Sequence, residues 1–237
     1  MSATVVLVHG AWHGAWCWDA VTPLLAARDV SCVALDLPGH GADLRPLTDL
    51  HGHGDAVRAA LDTISGPVVL VGHSYGGAAI TDAGTHPAVR HVVYIAAFCL
   101  DEGESVIAND VPGGEAGSAL ESALRFADDG TSTVDPVAAI DGFYADCASD
   151  VAERAAAALG PESMTGFAQT PRALAWRERP STYAVCTEDR AVHPALQRNL
   201  ARRCDEVVEW PTSHSPFLSR PELVAALLVD LAVRYDS

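Results

Sequence analysis

The stretch Val68-Val69-Leu70-Val71-Gly72-His73-Ser74-Tyr75-Gly76 decides how this chain is read. Its four opening residues are apolar, three of them β-branched, and predict a strand buried on both faces. Helix-like sequence resumes directly after Gly76. A serine lifted on a strained strand-to-helix turn needs neighbours without side chains, so that the two backbone segments can pass closely; Gly72 and Gly76 supply this. Such a turn exposes the hydroxyl at the carboxyl end of a sheet and aims a helix N-terminus at it. Ser74 is therefore the candidate nucleophile. A Gly-rich turn with an incidental serine would leave the partners described below unexplained.

Working outward, similar runs recur at Thr4–Val8, Ser31–Leu37, Pro67–Val71, His91–Ala96, Thr182–Cys186 and Glu206–Trp210. Each is nearly continuous in apolar residues, as parallel strands covered on both faces are. Helix-like stretches alternate with them at Asp19–Arg28, Asp55–Ile64, after Ser74, at Pro194–Arg203 and at Pro221–Arg234, the last two opening on proline at the first turn. Strand alternating with helix predicts an α/β three-layer sandwich of about six parallel strands with right-handed crossovers. One interval, 100–180, breaks the rhythm and shows no strand signal. It holds the Gly/Pro stretches Asp101–Glu104 and Pro112–Gly114, then helical patterns at Gly117–Ala127, Pro136–Asp146 and Val151–Leu159. So long an interval is not a plain loop. The expectation is a core formed by 1–99 and 181–237, with 100–180 inserted as a helical cap over one edge of the sheet.

Acyl transfer at Ser74 requires two backbone N–H donors for the oxyanion, a histidine base and an acid that orients it. One donor follows the nucleophile, at Tyr75. The other belongs to the loop after the first strand, His9-Gly10-Ala11-Trp12, with Ala11 the best placed. The base is expected on a loop after a late strand, where Ser213-His214-Ser215 follows Glu206–Trp210. Only His214, among 10 histidines, completes the chain order serine, acid, histidine. His9, His40, His51, His53, His86, His91 and His193 read as surface or turn residues, with His9 placed to shape the site. His51 and His53 lack an evident third ligand, so no metal is expected. The acid should lie after the preceding strand, where Glu188 and Asp189 compete; Asp189 is preferred, with Glu188 facing solvent.

Composition narrows the chemistry further. All 15 basic residues are arginine, against 31 acidic ones, for a formal net charge of −16. Without lysine there is no phosphate-cradling P-loop lysine, no Schiff base and no lysine general base. The acidic balance disfavours nucleic acids and anionic membranes as partners, because both demand a cationic surface, and it favours uncharged substrates. The six cysteines are scattered, without a C-x-x-C pair, and predict neither disulfide framework nor zinc site. No apolar run reaches membrane-spanning length and no basic leader precedes the first strand, so a cytoplasmic protein is expected. A homodimer is compatible with the sequence, which does not select it.

With these residues placed, the chain resembles the α/β-hydrolase superfamily, and within it the branch of plant methylesterases, hydroxynitrile lyases and their bacterial esterase relatives. The likeness rests on His9 to Trp18, on Ala34-Leu35-Asp36-Leu37-Pro38-Gly39-His40-Gly41, on the serine turn, on Cys186 to Arg190 and on Ser213-His214. It implies Asp189 as the acid, although Cys186 and His193 stand where the wider superfamily often carries Gly and Pro. Lyases of this branch carry Lys after the catalytic histidine, Thr after the first-strand histidine and Glu before the nucleophile. Here Ser215, Gly10 and His73 occupy those positions, and the cation that would stabilise departing cyanide is missing. Epoxide hydrolases and dehalogenases of this fold use an aspartate nucleophile, against Ser74.

The sequence therefore predicts a cofactor-free serine esterase acting on a small neutral carboxylic ester, methyl, aromatic or lactone-like, through an acyl-enzyme. Trp12, His73, Phe143, Tyr144, Phe167 and Phe217 are expected to line its pocket. The main alternative is a biosynthetic enzyme of the same fold, a cyclase, decarboxylase or lyase of a polyketide-like intermediate, using the triad as acid and base. A non-catalytic ligand receptor is the third reading.

Overall fold

A computed structural model describes residues 3–109 and 123–235. Its main sheet contains β1 (Thr4–Val8), β2 (Cys32–Leu35), β3 (Val68–His73) and β4 (Val89–Ile95). Between these and the last two strands of that sheet come β5 (Leu124–Phe126), β6 (Thr131–Val134) and β7 (Glu162–Ser163), which form a separate sheet; β8 (Ser181–Cys186) and β9 (Glu206–Trp210) complete the main one. The main order is β2-β1-β3-β4-β8-β9, with every adjacent pair parallel. All six expected strands are present.

Alternation along the central strands divides the core in two. Val6, Val8, Val68, Leu70, Val92 and Tyr94 pack with helices Leu50–Leu61, Gly76–Ala83 and Pro194–Ala201 on one face. Val5, Leu7, Val69, Val71, Val93 and Ile95 pack on the other with helices Thr22–Ala26 and Pro221–Arg234. Each face of a strand thus buries its own apolar row, which is why these runs carry no polar alternation. The edge strands differ from that expectation: Val33 on β2 and Val207 on β9 are exposed, because an edge strand lacks a neighbour on one side.

The segment between β4 and β8 is not wholly helical. Helices Pro136–Phe143 and Ser149–Ala157 lie close to the expected patterns. Residues 117–122 of the helix expected at Gly117–Ala127 fall outside the described residues, as does Pro112-Gly113-Gly114. Leu124–Phe126, by contrast, is a strand paired antiparallel with β6 across a turn in which Gly130 takes φ +82°. A glycine tolerates that angle, and the Asp-Gly step preceding Thr131-Ser132-Thr133-Val134 is hairpin chemistry that helical periodicity obscures. The segment is tied to the core at its far end. Asp82, fully buried on helix Gly76–Ala83, accepts the Arg172 main-chain N–H at 2.6 Å and its Nη2 at 2.7 Å, and also Arg58 Nη1 at 3.1 Å. Gln169 bonds Asp49 and the Leu50 N–H, and the Thr170 carbonyl meets His51. All six cysteines are free thiols.

Candidate active site

The end of β3 carries Ser74 into a left-handed backbone conformation, φ +51°, between strand and helix. L-residues rarely adopt it, and the surrounding packing holds it in place. A Cβ added to Gly72 would lie 2.7 Å from the Gly76 carbonyl oxygen and 2.9 Å from the Gly77 nitrogen. The turn therefore closes only because residue 72 has no side chain. Ser74 opens into a cavity of about 320 Å³ that Ala11, Tyr75 and His214 also line. The N–H groups of Ala11 and Tyr75 bond no other described residue.

His214 follows β9, and its Nδ1 lies 2.7 Å from Asp189 Oδ2. Both side chains are buried, whereas Glu188 is exposed. Asp189 is held on every side. Its Oδ1 accepts from the Ala191 and Val192 N–H groups at 2.7 and 3.0 Å, and Oδ2 accepts from Gln197 Nε2 at 2.7 Å. Gln197, fully buried, also donates to the Val192 carbonyl and accepts from the Cys186 N–H. Sequence reasoning missed it, since its only signal is a polar residue on the buried face of helix Pro194–Ala201. His193, standing where the superfamily often has proline, caps that helix by accepting from the Ala195 N–H. At the opposite edge of the imidazole, His214 Nε2 is buried without a hydrogen-bond partner among the described residues.

The six expected pocket residues divide evenly. Trp12, Phe143 and Phe167 line the cavity, together with Phe98, Met164 and Val192. His73, Tyr144 and Phe217 do not. His73 Nε2 donates instead to the His214 carbonyl at 2.9 Å, and burial holds its pKa well below that of a free imidazole. Phe217 packs beneath, against Trp18 and His73, and the Tyr144 hydroxyl turns inward to His13. An aromatic near the motif in sequence carries no information on which way its ring points. Asn109 is the only polar side chain that the described lining adds to Ser74, Tyr75 and His214, and none is a formal charge. Arg190, which adjoins Asp189, is paired with Asp141, and Arg177 is paired with Asp101.

The histidines correct a further expectation. His9, His40, His53 and His91 are buried rather than superficial. His9 Nε2 accepts from the Leu37 N–H, His40 meets Glu162 at 3.0 Å, His53 meets the Tyr75 hydroxyl at 2.9 Å, and His91 lies between Thr182 and Tyr235. Each ring meets at least one partner remote in the chain, which local sequence does not reveal, although the buried His53 Nε2 has no hydrogen-bond partner among the described residues. Burial lowers the pKa of His53 to about 4. His40 goes the other way: desolvation opposes its charge, but the Glu162 hydrogen bond and charge outweigh it and raise the pKa. His51 and His53 bond in different directions, and the described residues contain no cluster able to hold a metal ion. No helix among them is long and apolar enough to cross a membrane.

Comparison with known proteins agrees with this architecture. The chain is 29% identical to methylesterase 2 of Arabidopsis thaliana over 258 residues, covering 96% of this chain and 95% of that protein. It is 29% identical to norfluorocurarine synthase 2 of Strychnos over 253 residues, covering 95% and 94%. The crystal structure of a pyrethroid hydrolase from Sphingobium faniae superposes with a TM-score of 0.86 at 28% identity, covering 98% of each chain. The profile of the alpha/beta hydrolase family matches residues 5–227. With that match spanning the sheet, the serine turn and the His214 loop, the chain belongs to the alpha/beta hydrolase family.

Proposed function

We propose that the protein is a serine esterase acting on a small, neutral carboxylic ester. The observation that carries this reading is the His214–Asp189 pair at 2.7 Å, with the other imidazole nitrogen left unpartnered at the cavity that Ser74 lines. Asp189 accepts from Nδ1–H and thereby fixes the tautomer, leaving Nε2 as the base. Ser74 Oγ attacks the ester carbonyl as its proton passes to Nε2, and the N–H groups of Ala11 and Tyr75 receive the oxyanion. Collapse breaks the C–O bond to the alcohol, which leaves with the proton from Nε2. Water then adds to the acyl-enzyme with His214 again as base, and the carboxylic acid and free Ser74 are regenerated. The 100–180 segment acts as the cap, supplying Phe143, Met164 and Phe167 to the cavity wall. The uncharged lining supports neutral acyl and alcohol groups, because an ionised substrate would lose its hydration there without compensation. The named activities of the methylesterase and pyrethroid hydrolase relatives support ester cleavage.

The test combines p-nitrophenyl acetate turnover with labelling by a serine-directed fluorophosphonate. Burst release of p-nitrophenol and one adduct at Ser74 are expected. No turnover and no adduct would defeat the reading. The relative named a synthase favours one second reading, a biosynthetic reaction in which His214 and Asp189 serve as acid and base. That reading predicts turnover without an acyl-enzyme detectable by mass spectrometry.

A further inference from the structure

Trp12 and His13, the two residues after the proposed oxyanion donor Ala11, are gripped from three separate places in the 100–180 segment. The Gly160 N–H donates to the Trp12 carbonyl at 2.8 Å. Trp12 Nε1–H donates to Ser132 Oγ at 3.1 Å. The Tyr144 hydroxyl lies 2.8 Å from His13 Nε2. Trp12 itself sits at φ +63°, a left-handed conformation that a bulky L-residue does not keep without outside contacts.

The direction of the Tyr144–His13 bond follows from its neighbour. His13 Nδ1 lies 2.8 Å from the Ala11 carbonyl, which only accepts, so Nδ1 carries the proton. Desolvation lowers the His13 pKa to about 4 and keeps the ring neutral. In a neutral ring with Nδ1–H, Nε2 has a lone pair, and Tyr144 O–H donates to it. The result is a directed relay from Tyr144 O–H through His13 to the Ala11 carbonyl. Both side chains are buried, at 1% and 2% exposure, and neither lines the cavity.

We propose that His13 and Tyr144 are positioning residues that set the direction of the Ala11 N–H, so that the cap completes the oxyanion hole as well as covering the cavity. The proposal rests on the esterase reading of Ser74. The relay holds His13 against the Ala11 carbonyl, and the His13 main-chain N–H donates to the Gly10 carbonyl at 3.3 Å; that carbonyl shares a peptide plane with the Ala11 N–H, so holding His13 in place holds the direction of the donor.

The test measures kcat and KM on p-nitrophenyl acetate, and the inhibition constant of a boronic acid, for wild type, Tyr144→Phe, His13→Leu and His13→Gln. Tyr144→Phe, which removes one oxygen, is expected to lower kcat roughly tenfold with KM within about twofold, and His13→Leu to approach the ~10²–10³ loss of a missing oxyanion donor. The boronic acid, whose tetrahedral adduct needs the hole, should weaken in parallel with kcat. Glutamine offers a donor and an acceptor at a spacing close to that of the imidazole nitrogens, and His13→Gln should recover at least tenfold of the leucine loss. Wild-type kcat in Tyr144→Phe, or a loss expressed in KM alone, overturns the proposal. Wild-type protein that neither turns over ester nor takes the fluorophosphonate at Ser74 defeats the esterase reading instead, so the two failures are distinct.

Discussion

Replacing Gln197 with leucine probes how much the acid depends on a residue that never meets the cavity. The amide makes short bonds to Asp189 Oδ2 and the Val192 carbonyl, both at 2.7 Å, and accepts from the Cys186 N–H at 2.9 Å. Leucine fills nearly the same volume but strands the Cys186 N–H and the Val192 carbonyl in a fully buried site. Each orphaned group costs about 1–3 kcal/mol, and the extra apolar burial returns part of that. A net loss of ~2–4 kcal/mol is expected, a fall in Tm of roughly 5–15 °C for a chain of this size. Asp189 keeps the Ala191 and Val192 N–H donors and the His214 contact. Activity should therefore drop only ~3–10-fold, far short of the ~10⁴ that loss of the acid's charge produces. Thermal unfolding by circular dichroism and p-nitrophenyl acetate kinetics, run beside Asp189→Asn, read both effects. A Tm within about 2 °C of wild type, or a kcat as low as that of Asp189→Asn, would refute the reasoning.

Other expectations follow from the same geometry. Ser74→Ala should lower kcat by on the order of 10⁶ with little change in Tm, whereas Ser74→Gly, equally inactive, should be the more stable by ~1 kcal/mol because glycine accepts φ +51°; equal Tm values would deny that Ser74 is strained. Gly72→Ala drives a Cβ to within 2.7 Å of the Gly76 carbonyl oxygen and should cost more than ~2 kcal/mol or prevent folding, as urea unfolding or soluble yield would show. His13, His53 and His91 have folded pKa values of about 4, below the unfolded 6.5. The unfolded chain therefore binds more protons between these values, and stability is full above pH 6.5 and falls toward pH 4 by on the order of several kcal/mol. His40, with its raised pKa, acts oppositely and loses its contribution as pH rises through the folded value. A urea midpoint at pH 5 no lower than at pH 7.5 would contradict the dominance of the depressed histidines, which include the buried His9 and His73.

What the sequence exposed and what it hid have separate physical origins. The strand ladder was legible because central parallel strands must be apolar on both faces, and Val68–Val71 advertises that directly. The positions of Ser74, Asp189 and His214 in the fold were legible because each follows a strand end that the ladder fixes, and the geometry places Asp189 rather than Glu188 against His214. The β5–β6 hairpin was hidden because Thr131-Ser132-Thr133-Val134 buries Ser132 beside Val134, and a serine does not register as a core residue. Gln197 and the buried histidines were hidden for a related reason: a polar side chain becomes interior only through partners supplied by distant elements. The rings of Tyr144 and Phe217 were identified as site aromatics but assigned the wrong direction, since orientation is decided by packing.

The anchoring of residues 169–172 gives the cavity walls unequal compliance. Gln169, Thr170 and Arg172 are stitched to Asp49, Leu50, His51, Asp55 and Asp82, and Phe167 stands two residues from that seam. Another part of the lining is carried by Leu124, on a three-residue strand of a small sheet. An oversized ligand should therefore displace Leu124 first, while Phe167 stays in register with Tyr75, on which its ring stacks at 5.0 Å. Shape selection against the Phe167 wall should be strict and against the Leu124 wall permissive, so that enlarging the cavity for bulkier esters begins at Leu124.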